Sequence, residues 1–250
     1  MAQIRARREN GLLRFYKSDT NETVNVLAPF FMKDDFDCAV IGTTSAATSY
    51  KYWSTTGVNS GTAVQSSTDG WSNLLITTGD ADNDDVDVAS ELVFNSGWAC
   101  CCEAKIRVRD VSGTSVAFGF TDAQTEAADT LPVGYAVATL TTTATDCAMW
   151  LHDPDATTDT WITASANSDS DGTVNTSVSS TTDSVWHILR IDIDDDNEAS
   201  FYMDGSLVAT EAAVCSTGAA LCVYVGAVNR EATGNVVDVD YITAWQKRAT

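Results

Sequence analysis

The residues with the clearest chemical spacing are carboxylates between positions 80 and 91. Asp80, Asp82 and Asp84 occupy alternate positions, and Glu91 stands at the twelfth position of the same stretch. This spacing imitates the oxygen ligands of a calcium loop, but Asp85 stands where such a loop needs a glycine, and no flanking helices are indicated. We therefore expect an acidic solvated loop, with a calcium site at Asp80, Asp82, Asp84 and Glu91 as the alternative. No other cofactor is predicted.

Catalytic groups are sparse. The two histidines, His152 and His187, have no credible serine and aspartate partners, and no G-x-S-x-G motif occurs. A retaining glycoside hydrolase needs two carboxylates about 5 Å apart, commonly from an E-x-D-x-x-E strand. That motif is absent. We therefore predict a protein that binds or assembles and is not an enzyme.

Carbohydrate binding would use exposed aromatic rings as stacking platforms. Four tryptophans lie in turn-rich segments or close to loops. These glycan-stacking candidates are Trp53, Trp71, Trp150 and Trp161. Trp98, Trp186 and Trp245 belong to strong strand patterns, and we expect them in the core.

Charge is distributed unevenly along the chain. The formal net charge is −21, from 35 acidic and 14 basic residues. Residues 1–17 contain five basic residues and one acidic residue, a local charge of +4, so the remainder carries −25. Because so acidic a body repels phosphate backbones, we expect no nucleic-acid binding by the folded part. No apolar run is long enough to cross a membrane and no secretory signal is evident, so we expect no membrane partner and synthesis in a cytoplasm.

The seven cysteines do not form a disulfide framework. Their number is odd, and the run Cys100, Cys101 and Cys102 places neighbours on opposite faces of a strand. We expect reduced thiols that pack as small core residues.

Strand patterns dominate the chain. Residues 98–108 alternate: Trp98, Cys100, Cys102, Ala104, Ile106 and Val108 share one face, while charged residues take the other for most of its length. This is typical of an antiparallel strand with one wet side. Further strands are predicted at Ser115–Thr121, Asp146–Leu151, Val185–Asp194 and Ala219–Val228, with a two-residue Asp204-Gly205 hairpin turn. Thr157–Thr182 is predicted to be mostly loops with an edge strand.

Motifs in the last third resemble the laminin-G-like, or concanavalin-A-like, jelly roll. They are the Trp186-His187 strand, the Phe201–Val208 segment reading FYMDGSLV, and the closing Val239–Ile242 strand. The resemblance implies an all-β jelly-roll sandwich over residues 37–250, preceded by an extended basic arm over residues 1–36. Such packing and turn features imply a fold and not an activity.

The arm resembles that of tailed-phage and prophage virion structural proteins, which carry R-F-Y-x-S-x-T-x-E-T-V ahead of such a jelly roll; here it starts at Arg14. The resemblance implies a capsid decoration, or cement, protein on the virion surface. Its partners would be the major capsid protein and neighbouring copies of itself, as a homo-oligomer. The residues expected to bind them are Arg5, Arg7, Arg8, Leu12, Leu13, Arg14, Phe15, Tyr16, Val24 and Val26. The alternative is a lectin-like, carbohydrate- or receptor-binding virion module.

Overall fold

A computed structural model describes residues 4–9, 12–17, 23–24, 30–36, 48–50, 52–57, 61–66, 72–124, 130–176, 178 and 182–247. Side chains are described from Phe30 onward, except at positions 48–50, 57 and 173. Within these residues no helix is long and apolar enough to cross a membrane.

The described secondary structure is almost entirely strand. In chain order the strands are β1 Ile4–Glu9, β2 Leu12–Lys17, β3 Thr23–Val24, β4 Phe30–Asp34, β5 Thr48–Tyr50, β6 Trp53–Gly57, β7 Thr62–Ser66, β8 Asn73–Thr77, β9 Asp85–Ser90, β10 Phe94–Asn95, β11 Cys100–Val108, β12 Thr114–Thr121, β13 Val133–Ala136, β14 Thr139–Thr142, β15 Cys147–His152, β16 Trp161–Asn167, β17 Ser170–Asn175, β18 Trp186–Ile193, β19 Ala199–Met203, β20 Ser206–Glu211, β21 Ala220–Asn229 and β22 Val236–Gln246. A 3₁₀ turn, Ser96–Trp98, precedes β11.

Two large antiparallel sheets face each other. The nine-stranded sheet has the order β17-β16-β15-β12-β21-β9-β6-β5, and β10 also pairs with β21. The eight-stranded sheet has the order β20-β19-β18-β11-β22-β8-β7, and β4 also pairs with β22. The core between them contains the buried rings of Trp53, Phe118, Trp150, Trp161 and Phe201. β1, β2 and β3 form a separate three-stranded sheet.

The alternation of apolar and charged residues correctly predicts which side chains of β11 face the core. Cys100, Cys102, Ala104, Ile106 and Val108 are buried, as expected for the inward face. The strand starts at Cys100, two residues later than the pattern indicates. The reason is local: the Asn95 side chain accepts a hydrogen bond of 3.0 Å from the Gly97 amide and caps the 3₁₀ turn, so Trp98 is not in the strand.

The predicted hairpin is confirmed. β19 and β20 are joined by Asp204 and Gly205, with φ angles of +51° and +81°. Positive φ at both central residues gives the turn the twist that neighbouring strands need, and aspartate and glycine are among the residues that tolerate it.

Two predicted boundaries differ from the structure. Phe30–Asp34, which the sequence places in the arm, forms β4 on β22, and Met32 and Phe36 join the core. The sandwich therefore begins before residue 37. Residues 157–182, predicted as mostly loops with an edge strand, contain the edge strand β17 and also β16, which lies inside the sheet between β15 and β17 and is buried over most of its length.

A second apolar layer covers the outer face of the nine-stranded sheet. Ala117, Met149 and Tyr224 point away from the central core and are fully buried. Leu131 and Val133, at the β13–β14 hairpin, pack on the same cluster. Both faces of this sheet are therefore buried from solvent where the hairpin covers it.

The six described cysteines are buried and no disulfide joins them, as predicted for small core residues, whereas Cys38 lies outside the described residues. Burial raises the pKa of the Cys100 thiol to about 12. Burial also raises the pKa of Cys101, Cys102 and Cys215. Protonated, inaccessible thiols are poor nucleophiles, which fits a packing role.

Candidate binding face

The outer face of the eight-stranded sheet carries a continuous set of charged and aromatic side chains. Antiparallel pairing places Glu103 beside Arg190, and Arg190 beside Tyr202. Because side chains alternate along each strand, the same register leaves the apolar partners of these residues in the core. We name this set the Arg190 face. Its members are Glu103, Lys105, Arg107, Arg109, Trp186, Arg190, Asp192, Tyr202, Asp238, Asp240, Tyr241 and Trp245.

Arg190 is held from three sides. Its Nε and Nη2 atoms donate hydrogen bonds of 2.8 and 2.6 Å to the two oxygens of Asp192. Its Cζ atom lies 5.4 Å from the ring centres of both Tyr202 and Trp245. Hydrogen bonds to Asp192 raise the pKa of Arg190 further, so the guanidinium stays charged. A planar, preorganised donor between two aromatic rings is the result.

A β-bulge shapes the next part of the face. The register of β11 and β22 shifts between Lys105 and Ile106, so that Asp240 and Tyr241 are both only partly buried while Val239 and Ile242 are inside. The Lys105 Nζ atom donates to Asp240 at 2.7 Å. The Tyr241 hydroxyl donates to Glu103 at 2.9 Å. Burial, together with Glu103, raises the pKa of Tyr241 and keeps its proton in place.

Asp238 anchors the far end of the face. Its side chain is completely buried and accepts hydrogen bonds from Arg107, Arg109 and the Asn73 amide at 2.7–3.0 Å. Burial acts to raise the pKa of Asp238, but hydrogen bonds from Arg109 and Arg107 outweigh it, and the pKa is lowered. Arg107 also lies 4.6 Å from the ring centre of Trp186. Asp238 thus orients both guanidiniums by ion pairing.

Two depressions adjoin Arg190. The Tyr202 depression, of about 200 Å³, is lined by Glu103, Ile188, Arg190, Tyr202 and Gly205. The Trp245 depression, of about 370 Å³, is lined by Arg190, Asp192, Trp245 and Lys247 together with residues 99–101, 193 and 194. These volumes lie at or below the low end of the range of about 300–1,000 Å³ typical of small-molecule sites. Arg190 therefore forms a ridge between two shallow, small subsites.

The fold is similar to several solved structures. The carbohydrate recognition domain of Emp47p aligns with 88% of this chain and 96% of its own, with a TM-score of 0.59 and 14% identity. An endo-β-1,4-glucuronan lyase from the fungus Trichoderma reesei aligns with 87% and 95%, with a TM-score of 0.54 and 12% identity. A family 16 endo-glucanase from Bacteroides ovatus aligns with 84% and 98%, with a TM-score of 0.53 and 10% identity. The chain has a concanavalin-A-like jelly-roll fold. No protein-family model matches the sequence, and no curated protein matches it.

Three of the four glycan-stacking candidates are buried. Trp53, Trp150 and Trp161 are at most 2% exposed and lie in the core, so their role as glycan-stacking platforms is corrected. Trp53 donates from its indole nitrogen to buried Asp34 at 3.1 Å, which satisfies its polar atom inside the protein. Trp71 lies outside the described residues.

The tryptophans expected in the core lie at the surface. Trp98 is 39% exposed, and Trp186 and Trp245 are partly exposed on the Arg190 face. The sequence contained a signal for this, because residues an even number of positions apart on a strand share a face. Trp186 shares a face with the charged Arg190 and Asp192, whereas Trp245 lies on the face opposite to the apolar Ile242 and Ala244. Sequence reasoning weighed the size of the ring above the parity of its position.

The four calcium candidates are not brought together. Asp80 and Asp82 are exposed before β9, whereas Glu91 is exposed after its other end, about 20 Å away for a six-residue strand. Asp84 is buried and accepts a hydrogen bond of 3.0 Å from the Ala81 amide, so it stabilises the turn. Among the residues with described side chains, no three His, Cys, Asp or Glu side chains form a cluster that could hold a metal.

The arm residues are described only as backbone. Arg5, Arg7, Arg8, Leu12, Leu13, Arg14, Phe15, Tyr16 and Val24 lie in strands β1–β3, and Val26 lies outside the described residues. Capsid binding by these residues remains a prediction.

Proposed function

We propose that this protein is a lectin-like binding module that holds a glycan on the Arg190 face. The observation that carries the proposal is Arg190 itself, fixed by Asp192 and placed between the rings of Tyr202 and Trp245 beside two depressions. An aromatic ring offers an apolar surface to the C–H face of a sugar, and guanidinium and carboxylate groups offer paired donors and acceptors to its hydroxyls.

The similar folds favour a glycan over other small molecules. The carbohydrate recognition domain, the glucuronan lyase and the glucanase are all named for carbohydrate ligands or substrates. Two of those three are enzymes. The E-x-D-x-x-E pattern that commonly supplies the two carboxylates of a retaining glycoside hydrolase does not occur in this sequence. A binding role without catalysis therefore remains our proposal.

A glycan array followed by titration calorimetry tests this function. We expect the full chain to bind at least one glycan, and Trp245→Ala or Tyr202→Ala to weaken that binding at least about tenfold. Tyr52→Ala is the matched control, because Tyr52 is an exposed aromatic residue beside the other sheet. An array without a bound glycan, or full affinity in both variants, would overturn the proposal.

A second candidate is capsid decoration, and the arm sheet favours it. β1, β2 and β3 pair with each other, and none of them pairs with a described sandwich strand. A basic segment with its own strands can grip an acidic neighbour and add strands to a sheet edge. We propose that the arm binds the major capsid protein or a second copy, in a virion whose surface then displays the jelly roll.

Co-sedimentation with capsids that lack this protein tests the second candidate. Deleting residues 2–28 leaves every described sandwich strand in place, because β4 begins at Phe30. We expect the deleted protein to stay folded and to lose capsid binding. Replacing Arg5, Arg7, Arg8 and Arg14 by Ala should leave partial binding. Normal decoration by the deleted protein would show that the arm is not the anchor.

A further inference from the structure

The Arg190 face contains equal numbers of cations and carboxylates, and in it Asp238 pairs with both Arg107 and Arg109 and Glu103 accepts a hydrogen bond from Tyr241. Four cations stand against four carboxylates: Lys105, Arg107, Arg109 and Arg190 against Glu103, Asp192, Asp238 and Asp240. Each cation makes an ion pair of 2.6–3.0 Å with a carboxylate of the same face. The face is therefore neutral as a whole, within a protein whose net charge is −21.

From this pairing we infer that the ligand is an uncharged, extended glycan that runs along β18 across both depressions; the inference rests on the proposed function. Asp192 occupies the Nε–Nη2 edge of the Arg190 guanidinium, so an anionic sugar could take that bidentate edge only by displacing Asp192, and at the remaining Nη1 donors it would lie close to the negative charge of Asp192. A neutral hydroxyl can share both groups without breaking the pair. Since charge-assisted bidentate pairs are stronger than neutral hydrogen bonds, the intact pair selects neutral ligands.

Acidic residues around the Trp245 depression also disfavour an anionic ligand. Asp194 lines the Trp245 depression, and Asp195 and Asp196 follow it as exposed residues. Lys247, the other cation of that depression, is already paired with Asp195 at 3.0 Å. The summed negative field of the body lowers the local concentration of anions at this rim. A polyanionic glycan is therefore disfavoured at the contact and during approach.

The length of the face indicates several sugar units. Trp186, Ile188, Arg190 and Asp192 are the outward residues of β18, and their row extends about 20 Å. The two depressions lie on either side of Arg190 within this row. One unit in each depression, with Arg190 between them, requires a chain and not a single sugar.

Calorimetry on the full chain with matched probes tests the inference. The neutral probes are cellohexaose, laminarihexaose and mannohexaose, the acidic probe is hexagalacturonate, and glucose tests the need for a chain. We expect at least one neutral hexasaccharide to bind about tenfold or more tightly than hexagalacturonate or glucose. Raising the salt to about 1 M, where the Debye length is about 3 Å, should leave the neutral affinity unchanged.

An Asp192→Asn variant adds a change that a purely structural role would not produce. Removal of the carboxylate leaves the Nε–Nη2 edge of Arg190 available to an anion. The ratio of the affinity for hexagalacturonate to the affinity for the neutral hexasaccharide should therefore rise at least about fivefold. Asp196→Asn is the control, because it removes the same charge from the neighbouring loop, away from Arg190. It should leave the affinity ratio unchanged. If the affinity ratio of Asp192→Asn equals that of the natural protein, the Arg190–Asp192 pair does not select neutral ligands.

The outcomes separate the two proposals. If hexagalacturonate binds as tightly as the neutral probes, and Trp245→Ala abolishes that binding, the neutral-ligand inference is overturned while the proposed function stands. If glucose alone binds as tightly as the hexasaccharides, the extended-chain part is overturned. If neither these probes nor the glycan array yields binding, the proposed function is overturned and this inference with it.

Discussion

The outer faces of the two sheets differ although both sheets share one core. On the eight-stranded sheet, β11 and β18 alternate between buried apolar residues and partly exposed charged or aromatic residues. On the nine-stranded sheet, β12 and β15 are buried at every position, because the chain's own β13–β14 hairpin helps cover their outer side. One sheet therefore contributes buried apolar contacts on both of its faces, while the other leaves the charged and aromatic side chains of one face partly exposed to solvent.

The largest effect is expected from placing the same charge on each outer face. Met149→Lys puts an ammonium into the fully buried layer under the hairpin, and we expect the free energy of unfolding to fall by more than about 4 kcal/mol. Thr243→Lys puts it on the partly exposed side of the eight-stranded sheet, where it removes the hydrogen bond from the Thr243 hydroxyl to the Met32 carbonyl, and should cost no more than about 1.5 kcal/mol. Urea denaturation followed by tryptophan fluorescence measures both. Equal losses in the free energy of unfolding would mean that the two outer faces are equally buried.

The next effect concerns the buried end of the Arg190 face. Asp238→Asn leaves Arg107 and Arg109 without their carboxylate, and we expect a loss of about 3 kcal/mol at neutral pH. Because the folded pKa of Asp238 is lowered, its stabilisation is present above the unfolded pKa of about 3.9 and disappears as the pH falls through the folded pKa. The two proteins should therefore converge in strong acid. Asp240→Asn, at an ion pair whose side chains are about one-third exposed, should cost no more than about 1 kcal/mol.

Glu211 gives a smaller effect with the opposite pH dependence. It lies at the end of β20, is 4% exposed, and accepts a hydrogen bond from Thr163 of the opposite sheet. Burial raises the pKa of Glu211 against the lowering effect of Thr163 and Ser165. The folded state therefore binds its proton more tightly, so stability falls as the pH rises from the unfolded pKa of about 4.3 through the folded value.

Glu211→Gln should accordingly stabilise the protein by about 1 kcal/mol at neutral pH and change nothing below about pH 4. Glu198→Gln is the control, since Glu198 is exposed on the loop between β18 and β19. Thermal unfolding across the pH range measures both. Stabilisation of Glu211→Gln at acidic pH alone would contradict the assignment of a raised pKa.

The smallest effect on stability is expected at Trp245. Trp245→Leu removes a ring 5.4 Å from the Arg190 guanidinium but keeps an apolar side chain, so the loss should be about 0.5–1 kcal/mol. Glycan affinity, by contrast, should fall about tenfold. Chemical denaturation and calorimetry on the same sample separate the two quantities. A loss of several kcal/mol would assign Trp245 to the packing of the fold and weaken its assignment to binding.

Sequence reasoning succeeded where short-range geometry decides. The alternation of β11 and the Asp204-Gly205 turn depend on neighbouring residues alone, and both are confirmed. It was wrong where partners come from distant segments. Trp150 reads as loop-proximal but packs edge-on against Phe201 from the other sheet.

The Arg190 face shows the same division within one site. Strand parity is enough to place Glu103, Lys105 and Arg107 on one side of β11, because successive side chains point to opposite faces. Parity cannot say whether that side is covered, which strand lies next to it, or that a bulge in β22 brings Asp240 to Lys105. Those features depend on pairing between residues more than 100 positions apart, and only the folded sandwich specifies that pairing.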